Sequence, residues 1–132
     1  MTPATADSGG DAYDLFRRGA SFLASGHPGQ AALLLARAER LEPGKNSIRE
    51  ALGRAYYALG DFERAMARFA AIVADVPTND YAHFALGMSL VRLGRAQEAR
   101  AHFKLAQALS PASQRYRVAL AGLAASHYVR GA

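Results

Sequence analysis

Apolar and polar residues follow the three- and four-residue spacing of amphipathic helices from Ala12 almost to the end of the chain. Glycine and proline interrupt this spacing at short intervals, and each interruption marks the end of one helix and the start of the next. The pattern predicts seven helices. The first runs from Ala12 and stops at Gly26, the fifth starts at Asn79 or Asp80 and ends near Leu93, and the others cover residues 28–41, 47–59, 62–75, 96–109 and 114–130.

The interruptions recur at a fixed offset of 34 residues. Four columns of three residues keep this register: Gly19, Gly53 and Gly87; Gly26, Gly60 and Gly94; Ala31, Ala65 and Ala99; Pro43, Pro77 and Pro111. Such self-similarity predicts an array of helical hairpins. The predicted repeats span residues 12–45, 46–79 and 80–113, followed by a closing helix at 114–130, while residues 1–11 lack periodicity and are expected to form a flexible leader.

Several residues carry local structural signals. The first glycine column is expected to mark places where two helices approach too closely for a side chain. Gly60 is expected to end a helix in the left-handed conformation, and Asp61 to cap the next helix. Ser47 and Glu50 have the spacing of a capping box at the start of the third helix.

A 34-residue unit with these landmarks resembles the tetratricopeptide repeat. The second copy carries the signature at Leu52, Gly53, Tyr56, Ala65, Phe69 and Pro77, and the third at Leu86, Gly87, Leu90, Ala99, Phe103, Ala106 and Pro111. The resemblance implies an all-α fold, an α-solenoid of three antiparallel helix-turn-helix repeats with a C-terminal capping helix. It also implies a concave groove, lined by the first helix of each repeat, that binds a peptide or an amphipathic helix of a partner.

The groove-facing residues can be read from the helical spacing i, i+3, i+7 and i+10 in each first helix. They are Tyr13, Phe16, Glu50, Arg54, Tyr57, Tyr81, Phe84, Met88 and Val91, with Arg92 beside them, and the same face includes Ala20, Leu23 and Ser47. Five of these residues are aromatic, which suits apolar anchors of a bound segment. The alternative is that the aromatic residues belong to the core between neighbouring helices.

Arg54 lies in the middle of this face and can hold a partner carboxylate through its forked donors. The alternative is an ion pair with Glu50, one turn away on the same helix. The Lys and Asn residues with which similar proteins clamp a C-terminal carboxylate are absent, since Phe16, Glu50 and Phe84 occupy those places. A chaperone-tail clamp is therefore disfavoured.

Composition narrows the function further. The 132 residues include no cysteine, and the net charge of +5 arises from 16 basic and 11 acidic residues. A positive net charge favours acidic partners. The arginines are scattered along the chain rather than gathered in a patch, and this distribution disfavours nucleic acid as a partner. The four histidines lack metal-ligand spacing, and neither a phosphate loop nor a catalytic grouping is present. We therefore expect no catalytic residue, cofactor or metal, no membrane span, and a cytoplasmic protein.

The closing helix suggests a second hypothesis. Residues 118–125 read VALAGLAA and are apolar on all sides, whereas the end of an array normally presents a polar face. A symmetric homodimer through Val118, Gly122 and Ala125 would cover this surface. The weak hydrophobicity of alanine is the alternative explanation. The sequence thus predicts a non-catalytic adaptor or chaperone-like module for a partner segment, with a self-associating structural module as the alternative.

Overall fold

The computed structural model describes residues 11–131, with side chains through Leu123. Within this range the chain forms seven helices and no strand. Their bounds lie within two residues of the predicted ones: α1 Ala12–Ala24, α2 Pro28–Leu41, α3 Asn46–Ala58, α4 Phe62–Asp75, α5 Asp80–Arg92, α6 Ala96–Leu109 and α7 Gln114–Gly131. The predicted flexible leader lies outside the described residues, apart from Asp11. The helices form two compact units, the first ending at Arg68 and the second beginning at Phe69, within α4.

The first unit is built around the α1–α2 hairpin, with α3 packed against both helices. Its core consists of buried side chains from these three helices: Leu15, Ala31, Leu35, Ala38, Ile48, Ala51, Leu52 and Ala55. Half-buried Phe16, Phe22 and Tyr56 pack against this core. Burial of this apolar surface is the main force that holds the unit together.

The second unit contains the α5–α6 hairpin, with α7 packed against α6. Its largest fully buried side chains are Phe69, Ile72 and Phe103. Tyr116 of α7 is also buried, and its hydroxyl donates a 2.7 Å hydrogen bond to Oδ2 of Asp80 at the start of α5. Burial and this hydrogen bond raise the pKa of Tyr116 to about 12. Tyr116 thereby fastens the closing helix to the last hairpin.

The close approach predicted at the first glycine column is confirmed at Gly19 and Gly87, whereas at Gly53 it stays a prediction. A Cβ atom on Gly19 would lie 2.7 Å from Cγ of Leu35, and one on Gly87 would lie 2.5 Å from Cε1 of Phe103. Both distances are shorter than carbon atoms tolerate, so only glycine allows α1 to meet α2 and α5 to meet α6 as they do.

The second glycine column shapes the turns inside the hairpins. Gly26, Gly60 and Gly94 have φ angles of 83°, 82° and 78°, in the left-handed region. The backbone N–H of Arg64 donates to Oδ1 of Asp61, so the predicted cap of α4 is confirmed. The capping box predicted at Ser47 is wrong, because α3 begins at Asn46 and its N-cap residue, Lys45, offers no side-chain cap.

Candidate binding cleft

A cleft between α1 and α3 collects the residues that the spacing placed on the outward face of these helices. It has a volume of about 220 Å³. Its lining comprises Phe16, Ala20, Leu23 and Ala24 of α1 with Ser47, Glu50, Ala51 and Arg54 of α3. We call it the Arg54 cleft. Its α1 wall is apolar and its α3 wall is largely polar, so it can hold an apolar side chain and a charged group at once.

The cleft continues towards the start of α1. A smaller cavity of about 90 Å³ shares Phe16 and Ser47 with it and adds Tyr13, Glu42 and Lys45. The Tyr13 ring is 70% exposed and lies 5.9 Å below the Arg17 guanidinium. An exposed aromatic ring at this end lengthens the apolar wall by one helical turn.

The two charged residues of the Arg54 cleft do not pair with each other, unlike a pair with the same spacing on α1. Asp14 and Arg18 form an ion pair at 3.6 Å one turn apart on α1. Glu50 and Arg54 have the same spacing, yet neither forms an ion pair or side-chain hydrogen bond with another described residue. The structure thus shows no ion pair between Glu50 and Arg54, and the guanidinium of Arg54 is exposed, so its N–H donors are accessible to a ligand.

The family can now be assigned. A model of the tetratricopeptide repeat matches residues 16–80 and, in a second overlapping placement, residues 50–114. The chain belongs to the tetratricopeptide repeat family. Three repeats and a closing helix account for the seven helices of the described residues, and a general role in protein interaction follows from the family.

Solved structures share this fold. The first tetratricopeptide domain of Spaghetti (RPAP3), bound to the HSP90 peptide SRMEEVD, is 18% identical and has a TM-score of 0.84, covering 89% of this chain and 94% of that one. The Arabidopsis OM64 domain is 20% identical, with a TM-score of 0.81 over 85% and 93% of the two chains. MamA of MSR-1 is 25% identical, with a TM-score of 0.81 over 96% and 71%. These likenesses confirm the predicted all-α solenoid class. Among curated proteins, none matches the sequence.

Tyr57 belongs to the predicted set but does not line the Arg54 cleft. It is half-buried, and its ring meets the edge of Phe62 at a centroid distance of 5.0 Å. Tyr57 therefore packs at the turn between the two helices of the second tetratricopeptide repeat.

In the second unit, the predicted aromatic residues of α5 contact one another and the core. Tyr81 lies 6.3 Å from Phe69 and 6.2 Å from Phe84, between ring centroids. Phe84 in turn lies 5.2 Å from Tyr116, with the Arg115 guanidinium 5.5 Å from its ring. Tyr81 and Phe84 are both half-buried, so part of each residue remains accessible to solvent.

The remaining α5 residues become more exposed towards the end of the helix. Met88 is half-buried, whereas Val91 and Arg92 are exposed. In α7, Val118 is 61% exposed, and nothing lies within 4 Å of a Cβ placed on Gly122. The side chain of Ala125 lies outside the described residues.

Two histidines form a partly buried contact that the sequence did not indicate. Nδ1 of His83 and Nδ1 of His102 lie 3.0 Å apart, and Nε2 of His83 lies 2.8 Å from the carbonyl oxygen of Pro77. Because a carbonyl only accepts, His83 donates from Nε2 and receives the Nδ1 hydrogen of His102. Desolvation, and next the proximity of His83, lower the pKa of His102.

No group of three metal-ligating side chains occurs among the described residues. Of the helices in the described part of the chain, none combines the length and the apolar character needed to cross a bilayer.

Proposed function

We propose that this tetratricopeptide protein is a non-catalytic adaptor that binds an extended or helical segment of a partner protein in the Arg54 cleft. The segment inserts an apolar side chain against Phe16 and Leu23 and presents a carboxylate to Arg54. One observation carries the proposal: a guanidinium without an ion-pair partner among the described residues stands on the rim of a cleft whose opposite wall is apolar.

The Spaghetti domain supports the partner class, since it is bound to a peptide with two glutamates and a terminal aspartate. The present chain differs in the residues that would grip such a tail, because Phe16 and Glu50 stand where similar proteins carry clamp residues. We therefore propose an internal acidic residue flanked by apolar ones, rather than a chain terminus, as the element recognised.

In the second unit, residues of α5 provide further contacts for a partner. Met88, Val91 and Arg92 supply an apolar edge and a cation near the end of α5, and Tyr81 and Phe84 add half-buried aromatic rings. Tyr57 acts by packing and is the weakest member of the predicted set.

Charge reversal at Arg54 tests the proposal. Wild-type protein, Arg54→Glu and the control Lys104→Glu, an exposed cation on α6, are immobilised and used to recover binding proteins from a lysate. We expect wild type and control to recover the same partner and Arg54→Glu to bind it about tenfold or more weakly, because a charge-assisted hydrogen bond is replaced by repulsion.

Equal recovery by all three proteins, in titrations at matched concentration, contradicts the role of Arg54. Circular dichroism of each variant establishes that the helices remain folded. Failure of the wild type to recover any partner contradicts the adaptor function itself.

Self-association through α7 is the second candidate, favoured by the exposure of Val118 and the open surface at Gly122. Such a dimer dissociates when Val118 is replaced by lysine. Light scattering that shows a strict monomer for the wild type at high micromolar concentration removes this candidate.

A further inference from the structure

A second groove runs along the exposed face of α2. It has a volume of about 550 Å³, and its principal lining residues are Ala32, Leu33, Ala36, Arg37, Arg40 and Tyr56. We call it the α2 groove. It shares no lining residue with the Arg54 cleft, so a ligand of one need not touch the other.

The apolar part of the α2 groove follows from a run of three leucines in one helix. Consecutive residues point about 100° apart around a helix, so they cannot all face the core. Leu35 is fully buried, Leu34 is half-buried, and Leu33 is left 70% exposed. Ala36, about one turn further on, is half-buried and continues this apolar surface along the helix.

The basic part follows one turn later. Arg37 and Arg40 are exposed and lie four and seven residues after Leu33, on the same face of the helix. Neither forms an ion pair or side-chain hydrogen bond with another described residue. An apolar half and a cationic half therefore follow each other along a single groove.

Glu39 of α2 and Asp61 at the start of α4 already have arginine partners. Glu39 accepts two hydrogen bonds from Arg68, at 3.1 and 2.8 Å, and Oδ2 of Asp61 accepts one from the Arg64 guanidinium, at 2.9 Å. Both of these arginines also lie over the Tyr56 ring, at 5.4 and 5.8 Å from its centroid. Neither carboxylate forms an ion pair with Arg37 or Arg40.

We propose that the α2 groove is a second docking surface, which binds an acidic amphipathic helix of a partner protein. The partner places an aliphatic side chain on Leu33 and Ala36 and a glutamate or aspartate opposite Arg37 and Arg40, one turn away. Nucleic acid fits less well, because arginines lie over the Tyr56 ring that would otherwise stack a base, and because half of the groove is apolar.

Selection from a random peptide library displayed on phage tests this proposal while the partner is still unidentified. Peptides are selected on the wild-type protein and then titrated against two charge-reversal variants: the double variant Arg37→Glu with Arg40→Glu, and the single variant Arg54→Glu. We expect a class of peptides with acidic and aliphatic residues three or four positions apart. Their affinity should fall about tenfold or more with the first variant and stay unchanged with the second.

The outcomes separate the two sites. Peptides that depend on Arg54 alone belong to the Arg54 cleft, and a selection that yields only such peptides overturns the α2 proposal. A class of peptides whose binding depends on Arg37 and Arg40 but which lacks acidic residues also overturns the α2 proposal. Poly(U) RNA is tested in the same way. The assignment to a protein partner is overturned if this RNA binds the wild type more tightly than the selected peptides do and if its binding also depends on Arg37 and Arg40. Melting curves of each variant verify that the fold is intact.

Discussion

At the scale of single residues, glycine at the helix crossings decides how closely the hairpins pack. Gly87 is buried, and a methyl group there would overlap the ring of Phe103, which is itself fully buried and has no room to move. Alanine normally stabilises a helix relative to glycine by roughly 0.5 to 1 kcal/mol. The overlap outweighs this gain, because overpacking a core typically costs about 1 to 3 kcal/mol.

We therefore expect Gly87→Ala to lower the free energy of unfolding by about 1 to 2 kcal/mol, measured by urea denaturation. Gly122→Ala is the matched control, because nothing lies within 4 Å of the added carbon atom. It should leave stability unchanged or raise it slightly. If both substitutions shift the transition midpoint in the same direction, the close approach at Gly87 does not limit packing.

The sequence predicted these crossings but not their partners. The fixed offset of 34 residues identified Gly19 and Gly87 as equivalent, and both meet a neighbouring helix too closely for a side chain. The atoms they meet belong to Leu35 in one hairpin and to Phe103 in the other. Spacing gives the face of a helix, whereas the atom in contact depends on the rotation and rotamer of the opposing side chain.

At the scale of the helices, the α5–α6 hairpin contains a contact that responds to pH. His83 and His102 share one hydrogen between their Nδ1 atoms, and Glu98, one turn before His102, opposes the effect of burial on its charge. Desolvation dominates and lowers the pKa of His102 below its ordinary value of 6.5. The unfolded chain therefore binds a proton at His102 more readily than the folded chain does.

The stability of the fold therefore depends on pH through His102. Where the unfolded state binds more protons, stability rises with pH, so the contribution of His102 is fully present above about pH 6.5 and is lost as the pH falls below it. We expect the melting temperature of the wild type to drop more between about pH 8 and about pH 5 than that of His102→Gln. Equal drops in the two proteins would show that the titration of His102 is not linked to folding.

No sequence signal indicated this histidine pair. His83 and His102 are separated by 19 residues and lie on different helices, so their contact depends on how α5 and α6 are rotated against each other. The same holds for Tyr116 and Asp80, which are 36 residues apart. The periodicity of one helix predicts which face it buries, but not which side chains of two helices contact each other. These contacts between helices could not be predicted from the sequence pattern.

At the scale of the whole molecule, the order and type of the elements were predictable because local signals agree with the fold. Turn glycines, helix periodicity and the 34-residue offset all indicated the same seven helices.

The candidate site was predictable only in part. Phe16, Glu50 and Arg54 come together in one cleft, whereas Tyr81 and Phe84 are half-buried in an aromatic cluster and Tyr57 packs on Phe62. Aromatic residues suit a groove and a core equally, so their pattern alone does not distinguish the two.

The net charge of the molecule does not show which of its arginines lack an ion-pair partner. The net charge of +5 is spread along the chain, and some arginines are paired with carboxylates, as Arg68 is with Glu39. Arg54, Arg37 and Arg40 form no ion pair with another described residue, and they lie at the two grooves. The proposed recognition of acidic partners relies on these three side chains at the grooves rather than on net charge.

Site-specific photo-crosslinking tests most directly whether the Arg54 cleft receives a partner. A photoreactive phenylalanine analogue is placed at Ala24, an exposed lining residue of the cleft, and in a control protein at Ala101, an exposed residue of α6 that does not line it. We expect irradiation in lysate to attach a partner segment with acidic and apolar residues at Ala24 and not at Ala101, and Arg54→Glu to abolish the product. The same products at both positions, or a product at Ala24 that survives Arg54→Glu, would contradict the account.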